Sequence, residues 1–138
     1  MNHIPRYPVR PITKCFILPA TTIVTDRTVT ENSQLIYEVP ITSEGALLQN
    51  IIINAHGTTS TASVVRLLLN NGFDYNVATN NALYSEHLVP AKTASTTIIA
   101  SRLQYVYDLL LPPKFRIYVN KSANAGVALS VYATILEY

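Results

Sequence analysis

Apolar residues recur at a spacing near two along most of the chain, which is the signal of half-buried strands rather than helices. Residues 47–55 alternate in part, with Leu47, Ile51, Ile53 and Ala55 on one face and Asn50, Asn54 and His56 on the other. Ile52 interrupts the pattern. The polar run 56–61 reads as a turn, and 63–71 as the returning strand of a hairpin, closed by Asn71-Gly72. Residues 73–81 read as a loop and 82–89 as a strand stopped by Pro90. Residues 98–111 form a long strand with Leu103, Tyr105, Tyr107 and Leu109 on one face. Pro112-Pro113 must end its pairing, since neither proline can donate to a ladder. Phe115, Ile117 and Val119 then alternate with Lys114, Arg116 and Tyr118. In the last strand, 126–138, Val127, Leu129, Val131, Ala133 and Ile135 face one way, and Ser130, Tyr132 and Thr134 the other. Upstream, 21–30 and 34–41 supply up to two more strands. The expected fold is all-β: an antiparallel β-sandwich, jelly-roll-like, of seven or eight strands.

The first 27 residues break this rhythm. Pro5, Pro8, Pro11 and Pro19 remove amide donors, and Arg6, Arg10, Lys14 and Arg27 face a single acid, Asp26. The segment 1–27 is therefore expected to be an extended, basic N-terminal arm, with 28–138 as the sandwich domain. Four spread charges are too few for a nucleic-acid footprint, so contact with a neighbouring subunit is the favoured use of the arm.

Composition sharpens this picture at two points. Charged residues are only 13% of the chain, about half the usual share, so the surface must be built from uncharged side chains. Nine tyrosines stand beside no tryptophan. Their three readings are cross-strand packing within a sheet, a subunit interface, where tyrosine offers large contact area at low entropy cost, and a platform on which sugar faces stack. The candidate interface residues are Arg6, Tyr7, Arg10, Lys14, Tyr105, Tyr107, Tyr118 and Tyr132.

Chemistry is harder to find. His3, His56 and His87 lack the spacing of metal ligands, and the glycines are too scattered for a phosphate-binding loop. No serine sits in a nucleophile elbow. The lone Cys15, between Lys14 and Phe16-Ile17-Leu18, reads as a small buried hydrophobe. No catalytic residue, cofactor or metal is expected, and no apolar run reaches the length of a membrane span.

Three stretches carry a resemblance. The first is the strand pair around Gly57-Thr58-Thr59, with Arg66-Leu67 on its return. The second is the tip Gly72-Phe73-Asp74-Tyr75, and the third is Leu111-Pro112-Pro113-Lys114-Phe115-Arg116-Ile117, before a final strand ending in Glu137-Tyr138. Together they resemble small β-sandwich structural proteins of tailed-bacteriophage virions, of the auxiliary or decoration type. The chain departs from that pattern at Ala133-Thr134-Ile135-Leu136, where relatives often carry glycines. The resemblance implies a non-enzymatic virion component, assembled in the host cytoplasm, that forms a homo-oligomer, with a trimer favoured. Its implied partners are other virion proteins, of the capsid or of the neck and tail. The alternatives are a neck, tail or baseplate position and, in another class, a glycan-binding module using exposed tyrosines such as Tyr75.

Overall fold

A computed structural model describes residues 10–138. Ten strands follow one another: β1 (Arg10–Leu18), β2 (Gln34–Glu38), β3 (Ala46–His56), β4 (Thr59–Ser60), β5 (Ser63–Asn70), β6 (Asn81–Val89), β7 (Lys92–Thr93), β8 (Arg102–Leu111), β9 (Arg116–Lys121) and β10 (Ala128–Glu137). Eight of them build two four-stranded sheets: sheet I in the order β1-β10-β3-β8 and sheet II in the order β2-β9-β5-β6. The two extra strands, beyond the seven or eight expected, are only two residues long and pair with each other. Every pairing is antiparallel.

The topology follows from one nested ribbon. β1 pairs with β10, β2 with β9, β3 with β8, β4 with β7 and β5 with β6. First meets last, and so on inward to the tip at 71–80. Rolling that ribbon brings β10 against β3 and β9 against β5, which closes the two sheets into a jelly roll. The β4–β7 pair is the rung where the ribbon crosses from sheet I to sheet II.

This crossing corrects the expected hairpin between 47–55 and 63–71. Those strands lie in opposite sheets, because the intervening residues span the gap of about 10 Å between layers instead of reversing within one. Gly57 permits the passage: a Cβ there would stand 2.6 Å from Val127 Cγ1.

The core lies between the sheets and follows the pleat. Rows read across sheet I as Ile12, Ile135, Leu48, Leu109 and as Phe16, Val131, Ile53, Leu103. They meet Val65, Leu67, Val89, Ile117 and Val119 of sheet II. Each fully buried aliphatic side chain contributes roughly 1.5–3 kcal/mol, more than any surface ion pair, so inward alternation decides which face each strand turns to the other sheet.

The arm expectation needs the largest revision. Residues 10–18 are a strand in full register with β10, from Arg10 opposite Glu137 to Leu18 opposite Leu129, and Leu18 is buried. Pro11 is tolerated because β1 is an edge strand, where one face of the ladder has no partner to lose. Residues 21–30 do not form the expected strand. They cross to sheet II as a loop anchored by the buried Val24 and Val29. The loop's backbone carbonyls, having no ladder, are taken by side chains. Lys121 Nζ donates to the Ala20 and Thr22 carbonyls (2.8 and 2.7 Å), and Arg66 Nη1 to that of Val24 (2.8 Å). Asn120 Nδ2 donates to the Thr28 carbonyl (3.0 Å). The strand expected at 98–111 starts at Arg102, leaving Ile98 and Ile99 exposed in the loop before it.

Candidate functional site

Sheet I presents an outer face without charge over three strands. Residues that point away from the core align as Pro11, Leu136, Leu47, Leu110; Thr13, Thr134, Asn50, Val106; Cys15, Tyr132, Ile52, Gln104; and Ile17, Ser130, Asn54, Arg102. Among the described residues, no Asp, Glu, Lys or Arg stands on this face of β1, β10 or β3, and its one titratable imidazole is His56 at the end of β3. Charge appears only on the edge strand β8, at Arg102 and Asp108. Tyr132 is 42% exposed at its centre. Beside it a shallow depression of about 500 Å³ is lined by Cys15, Phe16, Ile17, His56, Ser130 and Tyr132. Cys15 is therefore exposed, not buried as its apolar neighbours suggested, because it takes the outward position of the pleat between inward Lys14 and Phe16.

The other candidate tyrosines occupy different places. Tyr105 and Tyr107 turn inward from the edge of sheet I and meet the edge of sheet II, on β6. The His87 ring stacks on Tyr105 with centroids 3.5 Å apart. His87 Nε2 and the Tyr107 hydroxyl share a hydrogen bond, and the Ser85 hydroxyl lies 3.1 Å from each of them. A register shift in β6 next to Ser85 brings Tyr84 over the Tyr107 ring, at 5.7 Å. The cluster closes the open side of the sandwich. It is packing between two sheets, not the cross-strand packing within one that the sequence suggested.

Burial pulls the His87 pKa below its ordinary 6.5 and pushes the Tyr107 hydroxyl up. The neutral imidazole is thus the form the fold prefers. Because the folded pKa lies below the unfolded one, this contribution is complete above about pH 6.5 and is lost as pH falls through the folded value. The melting temperature should drop on acidification across that window, and His87→Gln should flatten the drop. An identical pH profile in the variant would show that the histidine carries none of it.

Tyr118 is only 7% exposed, packed with Val29, Leu68 and Tyr75 on the outer side of sheet II. It is thereby removed from the candidate interface, since the 19–33 crossing and the ribbon tip cover it. Tyr75 is half-buried in the same cluster, which takes away the exposed tyrosine named for glycan binding. Arg10 is exposed but paired with Glu137 at 3.3 Å, and the same carboxylate accepts the Tyr37 hydroxyl, tying β1, β10 and β2 together at one end. Lys14 projects from the exposed edge of β1. Arg6 and Tyr7 lie outside the described residues.

Two buried charges escaped the sequence reading. Arg66, outward by the alternation of its strand, lies under the 19–33 crossing with Glu86 at 3.0 Å, and Glu86 also holds Arg27 at 2.7 Å. The Arg66 hydrogen bond keeps the Glu86 carboxyl below its ordinary value. Lys121 is 0% exposed, and burial lowers its pKa. Its signal was present: Lys121 continues the inward parity of Ile117 and Val119.

No known protein family matches the chain, and no curated protein is detectably similar to it in sequence.

Proposed function

We propose that this protein is a non-enzymatic structural subunit of a tailed-phage virion, an auxiliary or decoration-type capsid component. It attaches to neighbouring subunits through the outer face of sheet I and the N-terminal residues that precede β1. The observation that carries the reading is the uncharged face of β1, β10 and β3. A face that exposes Ile17, Cys15 and Tyr132 without one charge has the composition of a contact surface, depleted in Lys, Glu and Asp. The jelly roll is a fold that capsid proteins use, and it supplies a rigid block whose edges can be managed. The resemblance at Gly57-Thr58-Thr59, Gly72-Phe73-Asp74-Tyr75 and Leu111–Ile117 supplies the phage. A place in the neck, tail or baseplate uses the same face and differs in where the particle holds the chain.

The test is to put charge on that face. Tyr132→Glu and Ile52→Lys should fold normally, yet their incorporation into particles should fall at least about tenfold, since an unpaired charge in a desolvated contact costs several kcal/mol. Undiminished incorporation of both variants would remove this face from the assembly.

A further inference from the structure

Among the described residues the two sheets end in four edge strands, of which β8 is the longest and is free of proline and lysine. β1 has Pro11 and Lys14; β2 is five residues long and irregular in register; β6 is irregular beside Tyr84. β8 has ten residues with no proline, glycine or lysine, and its only irregularity against β3 falls at Tyr107–Asp108, after a regular run from Arg102 to Val106. Val106 and Leu110 are 77% and 68% exposed on it.

The phase of its open edge is fixed by one bond. Ala55 N–H donates to the Ser101 carbonyl at 2.8 Å, so Ser101, Leu103 and Tyr105 turn their backbone groups toward β3. Arg102, Gln104 and Val106 turn theirs outward, where no strand among the described residues receives them. Arg102 and Asp108 stand on the outer side of the same strand, six positions apart, and neither has a partner of opposite charge among the described residues.

We propose that β8 pairs antiparallel with β8 of a second copy of this chain, about a two-fold axis at Tyr105. That register sets Gln104 opposite the partner's Val106, and the extra residue at Tyr107–Asp108 leaves Arg102 beside the partner's Asp108. Arg102 and Asp108 both stand on the exposed outer face, within reach of each other as diagonal neighbours, and two-fold symmetry gives the ion pair twice. The charge order along the strand is thus complementary to its own reverse, which selects another copy of this chain over an unrelated strand. The two copies of sheet I become one eight-stranded sheet whose uncharged outer face is doubled in width. The inference concerns self-association alone and holds whether or not the chain belongs to a virion.

Sedimentation or mass photometry of the purified full chain, across concentration, tests it with four variants. The wild type should form a dimer or an assembly of even order. Arg102→Asp and Asp108→Arg, each placing like charges beside one another twice, should weaken association at least about tenfold. The double variant Arg102→Asp/Asp108→Arg should restore it to within about threefold, since the pairs re-form with signs exchanged. Gln104→Pro removes only an outward amide, so it should abolish association while the circular dichroism of the fold is kept. A chain that stays monomeric, a trimer indifferent to these charges, or a double variant no better than the singles would overturn the proposal.

Discussion

Removing residues 2–18 is expected to abolish the cooperative unfolding transition, while removing residues 2–9 leaves it in place. The difference is β1. It pairs along its whole length with β10, seals Leu18 completely and lays Ile12 and Phe16 against the core. Losing those three apolar side chains removes roughly 5 kcal/mol or more, comparable with the 5–15 kcal/mol that holds a domain of this size together. It also bares the edge of β10, an invitation to aggregate. Thermal melts followed by circular dichroism separate the outcomes. A folded 19–138 fragment with a sharp transition would return β1 to the status of a dispensable arm.

The second large effect belongs to Lys121. Its ammonium is fully buried and is held by two backbone carbonyls of the loop that leaves β1, and among the described residues no carboxylate is hydrogen-bonded to it. Lys121→Ala orphans the carbonyls of Ala20 and Thr22 and empties the volume of the stem. We expect a loss of about 3–5 kcal/mol by urea denaturation. Lys121→Met keeps the stem and relieves the buried charge, so its cost should be smaller, about 1–3 kcal/mol. The order matters as much as the size. If alanine costs less than about 1 kcal/mol, the 19–24 segment is held by Val24 alone.

Face was legible in the sequence, and partner was not. In β10 the alternation placed Leu129, Val131, Ala133 and Ile135 inward and Tyr132 outward, as the structure has them. A period of two says nothing about which strand lies alongside, so 47–55 and 63–71, close in sequence, read as a hairpin although the fold sets them in opposite sheets. β1 is masked in the sequence by Pro11 and the prolines on either side of it, although an edge strand tolerates the one it contains. Arg66 shows the other blind spot. Alternation with Val65 and Leu67 turns it outward, but the pattern of a strand cannot reveal a loop from forty residues away lying over it. Of the candidate interface residues, Tyr132 and Lys14 are exposed, and Arg10 is exposed but already paired with Glu137. Tyr105 and Tyr107 close the sandwich, and Tyr118 is covered.

The outer face of sheet I is central both to the proposed attachment and, through β8, to the proposed pairing of copies. A reconstruction of the whole phage particle tests the functional account most directly. It should show this jelly roll at regular sites on the head, with Tyr132, Ile52 and Cys15 covered by a neighbouring subunit. Particles whose complete density has no place for the chain, or that hold it with this face open to solvent, would contradict the account.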